Sequence, residues 1–335
     1  MRGLSFLAGK TVLITGATGL IGSNIVDRLM SDNSIRVIVV GRNIQKIRDT
    51  FSSYWGLESF IPVEHDISNS FPQLSFAVDY IFHAAGPIAG SIIKETPVDV
   101  IKPNLFGLIN CLEFVRKQKE VEGKDCRTIV FSSATVYSST GDKDVIVSEG
   151  LTNSAEYLNS ITAAYSESKR MCEVIANAYY RQYKIDVVLT RFAYVYGYTK
   201  KMPDTAFYEF IQKSLKGENL VLNSTGAPRR DNIYIDDAVD GLLCLCEKGN
   251  SGESYNISSG GDLNNFAAID EIADAIAKAA NKNIAGSSIS VSFREQSDGR
   301  KPGIVLDNGK LKALGWSIEN SLEEGVNKTM ISYIA

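Results

Sequence analysis

The chain has 335 residues, of which 44% are hydrophobic and 22% charged, and its formal net charge at pH 7 is −4. This length allows a large buried core, and the mildly acidic balance without a basic stripe argues against a nucleic-acid partner. No apolar run reaches the length of a membrane span, and no charged-then-apolar leader opens the sequence. We therefore expect no membrane partner and a cytoplasmic location.

The cysteines and histidines argue against two further kinds of site. The five cysteines lack the spacing of metal ligands, and Cys244 and Cys246 fall in an apolar run that predicts buried packing. Only two histidines are present, which leaves little for a zinc centre or a Ser-His-Asp triad. We predict no metal site.

Apolar runs typical of buried strands alternate with helix-like segments through the first half of the chain, which predicts a parallel sheet covered on both faces. The predicted strands there are 11–15, 36–40, 60–66, 80–86, 128–133 and 186–191, and the predicted helices are 23–30, 98–119 and 164–183. Beyond residue 197 the alternation weakens. The predicted elements there are helices at 206–216, 238–247 and 267–280, a strand at 220–222 and a short final helix at 310–314.

Three glycines follow the first strand at the spacing of a dinucleotide-binding turn. Gly16 permits the tight turn, Gly19 lets backbone N–H groups approach a pyrophosphate, and Gly22 lets the following helix pack closely. The positive end of that helix would then hold the anion. The predicted dinucleotide contacts in this segment are Gly16, Thr18, Gly19, Leu20, Ile21 and Gly22.

These observations predict an α/β fold, namely a Rossmann-type doubly wound parallel sheet with a smaller α/β C-terminal substrate-binding lobe. We expect the dinucleotide-binding domain over 1–193, with 232–248 returning to it. The smaller lobe is expected over 194–231 and 249–335.

The end of the second strand selects the cofactor. An acidic residue at this point would bind the adenosine ribose and select NAD, but the strand ends in Gly41 and Arg42. Arg42 could pair with a 2′-phosphate, so NADP(H) is preferred. The alternative is that Arg42 stacks on adenine with NAD(H) bound. Asp66 is predicted to hydrogen-bond the adenine amino group, and the adjacent Ile67 is predicted as a further cofactor contact.

The sequence contains three Tyr-x-x-x-Lys matches, which begin at Tyr165, Tyr180 and Tyr196. Tyr165 and Lys169 lie one turn apart near the start of a helix, and the strand before that helix ends at Ser133, facing the crevice of the glycine turn. An ammonium beside a phenol lowers its pKa, and a serine hydroxyl can orient the same substrate oxygen. We predict Ser133, Tyr165 and Lys169 as the catalytic residues.

Taken together, the motifs resemble an extended short-chain dehydrogenase/reductase of the NAD-dependent epimerase/dehydratase family. The resemblance is carried by Gly16, Gly19, Gly22, Asp66, Ala84, Ala85, Gly86, Asn104, Ser133, Tyr165, Lys169, Arg230, Asp231, Tyr234, Asp236 and Asp237. It implies dinucleotide contacts at Ala84, Ala85, Gly86, Asn104, Tyr165 and Lys169 as well. It also implies a nucleotide diphosphate sugar as substrate and a homodimer built as a four-helix bundle from the helices at 98–119 and 164–183.

The resemblance implies substrate contacts at Ser133, Ala134, Tyr194 and Arg230, with Arg230 paired to the diphosphate and Arg300 as a second candidate. The chain departs from the family pattern in two places. Dehydratases carry an Asp-Glu pair where this chain has Ala134 and Thr135, a run that resembles the 4-epimerases instead. Those epimerases place an asparagine where this chain has Tyr194.

We expect an NAD(P)-dependent enzyme that transfers hydride at C4 of a nucleotide-activated hexose. Reduction of a 4-keto-6-deoxy sugar nucleotide is favoured, and a 4-epimerase that retains NAD is the alternative. A non-catalytic dinucleotide sensor and a reductase of uncharged carbonyls are the other hypotheses, although an uncharged substrate would give Arg230 nothing to neutralise.

Overall fold

The computed structural model of the protein describes residues 3–72, 74–86, 90–137, 143–151, 158–224, 229–295 and 302–334. Its strands are β1 (Thr11–Thr15), β2 (Arg36–Gly41), β3 (Phe60–Glu64), β4 (Tyr80–His83), β5 (Arg127–Phe131), β6 (Val145–Val147), β7 (Val187–Phe192), β8 (Tyr194–Tyr196), β9 (Leu220–Ser224), β10 (Arg230–Tyr234), β11 (Ser254–Ile257), β12 (Phe266–Ala267), β13 (Val291–Glu295) and β14 (Ile304–Leu306). Its helices are α1 (Leu20–Leu29), α2 (Ile44–Thr50), α3 (Gly90–Glu95), α4 (Pro97–Glu122), α5 (Ala163–Tyr183), α6 (Ala206–Leu215), α7 (Ile235–Lys248), α8 (Ile269–Asn283), α9 (Gly309–Lys312) and α10 (Leu322–Ile334).

The chain forms two compact units. The first comprises Met1–Ser138, Asn153–Arg191 and Val239–Tyr255, and the second comprises Ser139–Thr152, Phe192–Ala238 and Asn256–Ala335. These boundaries differ from the expected ones in two places. The segment 139–152 joins the second unit, and the segment that returns to the first is 239–255 rather than 232–248.

The first unit contains most of a seven-stranded sheet with the order β11-β7-β5-β4-β1-β2-β3. The pairings of β1 with β2 and β4, of β2 with β3, of β4 with β5 and of β5 with β7 are all parallel. The strand order reverses between β1 and β4, and sheets of this kind bind ligands outside the carboxyl ends of the strands at such a reversal. The predicted fold class is confirmed.

Aliphatic side chains at the centre of this sheet form the core of the first unit. Leu13, Ile38 and Val130 are buried there and belong to one cluster with Leu108 and Leu112 of α4. Burying each such side chain contributes about 1.5–3 kcal/mol, which keeps the strands packed against the helix. This buried cluster therefore holds the ends of the strands in place.

Helices α4 and α5, the two longest in the described residues, pack against each other in the first unit. α4 has 26 residues and runs one residue before and three residues beyond the predicted 98–119, whereas α5, with 21 residues, begins one residue before the predicted 164–183. Pro103 lies inside α4, where its missing N–H removes one helical hydrogen bond. Within the described ranges, no helix combines the length and the apolar character needed to cross a bilayer.

Several element boundaries differ from the sequence analysis. α1 begins at Leu20 instead of residue 23, because Gly19 has the extended backbone of a helix cap (φ −82°, ψ 175°). The helix predicted as the last one, at 310–314, is followed by α10. The elements that the sequence analysis missed are mostly short: α2, α3, α10, β6, β8, β10, β11, β12, β13 and β14.

Short strands tied by polar side chains build the second unit. Its main sheet has the order β12-β10-β14-β6, with β8 also paired to β10. Buried Asp231 on β10 accepts hydrogen bonds from the Ser259 backbone N (3.0 Å), the Ser259 hydroxyl (2.5 Å) and the Leu306 backbone N (3.0 Å). The Asn256 amide donates to the carbonyls of Val147 (3.3 Å) and Asp307 (2.9 Å).

Candidate active site

The turn after β1 lies so close to neighbouring backbone that positions 16 and 22 accept only glycine. Gly16 has φ +67°, and a Cβ on it would lie 2.7 Å from the backbone of Ala85. A Cβ on Gly22 would lie 2.5 Å from the Gly16 carbonyl oxygen. α1 starts directly after Gly19 without a side-chain cap, so its first N–H groups have no partner within the helix and face outward for an anion. The turn therefore fits a dinucleotide pyrophosphate.

A buried histidine at the end of β4 ties this turn to the neighbouring strand. His83 Nδ1 lies 3.1 Å from Thr15 Oγ1, which in turn accepts the Ala85 backbone N–H at 3.3 Å. Burial, together with the charge of nearby Lys169, lowers the pKa of His83 to about 3. His83 is therefore neutral at physiological pH and orders the strand ends as a hydrogen-bonding group.

Asn104 of α4 reaches the same crevice. Its amide donates to the Val100 carbonyl (2.9 Å) and the Ser168 hydroxyl (3.0 Å), whereas its buried Oδ1 has no partner among the described residues. A Cβ on Gly86 would lie 2.5 Å from Asn104 Oδ1 and 3.4 Å from Lys169 Nζ. Glycine is therefore needed at position 86 to leave this space open.

Tyr165 and Lys169 face the end of β5 from the first turns of α5. The Ser133 side chain interacts with the Tyr165 hydroxyl and lowers its pKa, and Lys169 Nζ lies 5.9 Å from the centroid of the Tyr165 ring. Buried Lys169 also donates to the Phe131 carbonyl at 2.8 Å. Ser133 Oγ accepts hydrogen bonds from the Thr135 backbone N (3.2 Å) and hydroxyl (3.1 Å), which leaves its own proton to donate.

The electrostatics of this group differ from the sequence argument. Burial raises the pKa of Tyr165, opposed by the Ser133 hydrogen bond, and burial lowers the pKa of Lys169. The sequence argument predicts that Lys169 lowers the tyrosine pKa, whereas in the folded protein burial raises it. Tyr165 is therefore a neutral phenol at physiological pH.

The predicted adenine-side residues lie at the ends of β2 and β3. Arg42 is exposed directly after β2, and no ion pair to it occurs within the part of the chain that the structure describes. Asp66 accepts the Ser68 backbone N–H at 2.9 Å. Ile67 is buried against Gly107 of α4, so it packs in the core beside this edge.

The predicted substrate residues fall in three places. In the second unit, the guanidinium of exposed Arg230 lies 5.5 Å from the centroid of the Tyr194 ring, and the Tyr194 hydroxyl donates to Thr205 at 3.3 Å. Ser133 and Ala134 lie in the first unit. Arg300 lies outside the described residues.

Part of the predicted set lies close together in the first unit. A Cβ on Gly16 would meet the backbone of Ala85, a Cβ on Gly86 would lie 3.4 Å from Lys169 Nζ, and Lys169 Nζ lies 5.9 Å from the centroid of the Tyr165 ring. Sequence analysis overlooked Thr15, His83 and Ser168 as members of this group. The signal for two of them was present, because Thr15 and His83 are polar residues at the last position of strands whose central residues are apolar.

Comparison with known proteins identifies the family. A model of the NAD dependent epimerase/dehydratase family matches residues 12–258, a span that contains the glycine turn, Ser133, Tyr165 and Lys169. The chain belongs to this family. The resemblance inferred from the sequence is thus confirmed.

Relatives and solved structures in this family are similar over nearly the whole chain. A UDP-glucuronic acid decarboxylase of Xenopus tropicalis is 30% identical over 333 residues, which cover 96% of this chain and 71% of the relative. UDP-glucuronic acid decarboxylase 5 of Arabidopsis thaliana is 29% identical over 322 residues, which cover 94% and 86%. The crystal structure of a UDP-glucuronic acid 4-epimerase from Bacillus cereus in complex with NAD superposes with a TM-score of 0.73 at 26% identity and covers 96% of this chain and 97% of that one.

Proposed function

We propose that the protein transfers hydride at C4 of a nucleotide diphosphate hexose, and that it reduces a 4-keto-6-deoxy sugar nucleotide. The observation that carries this proposal is the placement of buried Lys169, which donates to the Phe131 carbonyl and lies 5.9 Å from the ring of Tyr165, the phenol that interacts with Ser133. A phenol, a hydroxyl and an ammonium at one point form a donor set suited to a developing alkoxide. Family membership supports dinucleotide chemistry, and the names of the relatives support a nucleotide sugar.

In this mechanism a bound nicotinamide dinucleotide supplies the hydride. Tyr165 donates its phenolic proton to the sugar O4, and Ser133 donates a hydrogen bond that orients the same oxygen. Lys169, held at the Phe131 carbonyl, stabilises the tyrosinate that remains after proton transfer.

Two features favour reduction over the other reactions. Burial keeps Tyr165 protonated, which suits a proton donor. Ala134 and Thr135 carry no carboxylic acid to protonate a leaving hydroxyl, so we propose no 4,6-dehydration. The second candidate is a 4-epimerase with retained NAD, favoured by the run Ser133-Ala134-Thr135 and by the likeness to a solved 4-epimerase.

We propose NADP(H) as the preferred cofactor because Arg42 ends β2 where NAD selection would need a carboxylate. The Arg42→Ala variant should bind NADP⁺ about 10- to 100-fold more weakly, since a charge-assisted bond contributes about 1.5–3 kcal/mol. Affinity for NAD⁺ should be unchanged in a fluorescence titration. Arg48→Ala, which removes a neighbouring positive charge on α2, is the matched control, and equal NADP⁺ affinity in both variants would contradict the assignment.

The second unit supplies the proposed diphosphate contact, Arg230, with Arg300 as a further candidate. Calorimetric titration with UDP, dTDP, CDP and GDP would identify the nucleotide. Binding of any of them should weaken in Arg230→Ala, because the diphosphate loses a guanidinium partner. If none of the nucleoside diphosphates bound, an uncharged carbonyl substrate would be favoured instead.

The decisive experiment replaces Tyr165 by phenylalanine and measures turnover with a panel of nucleotide sugars, including UDP-glucuronic acid. Loss of the proton donor should lower kcat between about 100- and 10,000-fold. Tyr180→Phe removes the hydroxyl of the second Tyr-x-x-x-Lys match, at the far end of α5, and should leave kcat unchanged. Unchanged turnover in Tyr165→Phe would favour a non-catalytic dinucleotide sensor.

The same panel separates the candidate reactions. A reductase consumes NADPH in proportion to product and is inactive without it. An epimerase turns over without added cofactor and shows bound dinucleotide in its absorption spectrum, and a decarboxylase releases CO₂ from UDP-glucuronic acid.

We also propose a homodimer through α4 and α5. Phe106 of α4 and Met171 and Val174 of α5 are 51%, 47% and 60% exposed, which is unusual for large apolar side chains on packed helices. Val174→Glu should shift the sedimentation coefficient to that of a monomer. Val221→Glu, a change at an exposed valine of the second unit, should not.

A further inference from the structure

A buried ion pair between Glu173 and Arg191 contacts the segment that carries Ser133. The proposed function uses neither of these two residues. Arg191 Nε lies 2.9 Å from Glu173 Oε1, and Arg191 Nη2 lies 2.7 Å from Glu173 Oε2, so the pair is bidentate. The side chains are 11% and 12% exposed. Removing water from a charge pair of this kind is costly, which makes its placement informative.

The pair is joined to the end of β5 at two points. The Ser132 hydroxyl, itself buried, donates to Glu173 Oε1 at 2.6 Å. On the other side, Arg191 Nη1 donates to the Tyr137 hydroxyl at 2.9 Å. The segment between these anchors contains Ser133 and the turn after it, so both ends of the segment that carries Ser133 are held by one ion pair.

Helix α5 holds the same segment through successive turns of one face. Tyr165 interacts with Ser133, Lys169 donates to the Phe131 carbonyl, and Glu173 accepts from Ser132. These three α5 residues are spaced four apart, so they line up along the helix. The bonds from Lys169 to the Phe131 carbonyl and from Ser132 to Glu173 hold the two residues that precede Ser133. They therefore determine the position of Ser133 relative to Tyr165.

We propose that the Glu173–Arg191 pair is a positioning device for the reaction, in which the Glu173 carboxylate, through Ser132, holds Ser133 within hydrogen-bonding distance of Tyr165. This role rests on the proposed function for its effect on turnover, although the geometry itself does not depend on the substrate. Glu173 and Ser132 are positioning residues.

The first test removes the link and leaves the ion pair intact. Ser132→Ala should lower kcat about tenfold, the effect of about one hydrogen bond, with KM within about twofold of the wild type. Ser132→Thr keeps the hydroxyl and should recover most of the loss. Thr190→Val is the matched control, because the buried Thr190 hydroxyl bonds the Val130 carbonyl of β5 at 3.2 Å without contacting Glu173.

A second variant changes the pair itself. Glu173→Gln leaves Arg191 without its charge partner and is expected to lower stability, so its kcat is measured well below its unfolding temperature. Its control is Asp186→Asn, which breaks the Arg127–Asp186 ion pair (2.8 Å) at the opposite end of β5. A fall in kcat in Glu173→Gln but not in Asp186→Asn supports positioning, whereas equal effects would overturn it.

A spectroscopic readout makes the result independent of any substrate. Because the bond from Ser133 lowers the pKa of Tyr165, displacing Ser133 should raise it. In protein labelled with ¹³Cζ-tyrosine, the Tyr165 signal is identified by its loss in Tyr165→Phe, and its titration should move to higher pH in Ser132→Ala but not in Thr190→Val. Unmoved titration in Ser132→Ala would refute the positioning role even if Tyr165→Phe abolishes turnover, and a moved titration would support it even if no sugar nucleotide is turned over.

Discussion

The two units are held together by different forces. In the first unit, all five residues of β1 and four successive residues of β2 are buried, and most of them are aliphatic. In the second unit, strands of two to five residues are tied by buried Asp231 and Asn256, which bond to backbone groups of other segments. The first arrangement keeps polar groups at the strand ends, where a site can use them, and the second uses polar groups for the fold itself.

The largest effect that this comparison predicts is at Asp231. In Asp231→Ala, the Ser259 hydroxyl and the backbone N–H groups of Ser259 and Leu306 lose their acceptor in a buried position. Each buried unsatisfied group costs about 1–3 kcal/mol, so the free energy of unfolding should fall by about 3–5 kcal/mol. Urea unfolding followed by circular dichroism measures it.

The neighbouring carboxylate Asp307 provides the control for that experiment. It accepts the Gly309 N–H at an exposed position, and Asp307→Ala should change stability by less than about 1 kcal/mol. If the free energy of unfolding fell no more in Asp231→Ala than in Asp307→Ala, buried polar side chains would not be what stabilises the second unit.

The next effect is at Gly16 in the first unit. Gly16→Ala adds the cost of a positive φ, about 1–2 kcal/mol, to the overlap with the Ala85 backbone at 2.7 Å. We expect at least about 2 kcal/mol of destabilisation together with loss of dinucleotide binding. Gly9→Ala separates the two causes, because Gly9 has φ +71° and open space around its Cβ position. If Gly9→Ala were equally destabilising, the overlap would be irrelevant.

The same difference explains how much could be predicted. Continuous apolar runs such as 11–15 and 128–133 predicted the strands of the first unit, and the glycine turn and Ser133 follow the carboxyl ends of two of these strands. In the second unit, β6 and β14 pair across a long separation in the chain through two- or three-residue contacts. No local period marks such strands, so they were missed.

The residues of the candidate site also differ in whether local sequence features predict them. Tyr165, Lys169 and Ser133 follow from helix spacing and strand ends, which are local features. The Glu173–Arg191 pair joins α5 to β7, and the bond from Thr15 to His83 joins two strands 68 residues apart, so no local spacing in the sequence shows which residues are partners. The direction of the Tyr165 pKa shift depends on burial, which spacing does not reveal.

A third prediction concerns acid stability of the first unit. His83 has a pKa of about 3 in the folded protein and one near 6.5 when unfolded, so the unfolded state binds more protons between these values. Stability should therefore fall as the pH decreases below 6.5, by about 2 kcal/mol at pH 5. His83→Gln should abolish this part of the acid sensitivity, and replacement of the other histidine, His65→Gln, should not. A parallel pH dependence in wild type and His83→Gln would show that His83 is not the group responsible.

The smallest effect completes the comparison, at a buried hydroxyl of the first unit. Thr190 is fully buried on β7 and donates to the Val130 carbonyl at 3.2 Å, yet both residues lie in adjacent parallel strands whose backbones are already paired. Thr190→Val keeps the side-chain shape and removes one hydrogen bond, so the free energy of unfolding should fall by only about 0.5–1.5 kcal/mol. Both Thr190→Val and Asp231→Ala remove a buried polar group. We expect the smaller loss of unfolding free energy in Thr190→Val, because the aliphatic side chains of the first unit still stabilise its sheet. A loss in Thr190→Val as large as that in Asp231→Ala, measured in the same urea titration, would mean that polar side chains support both units equally.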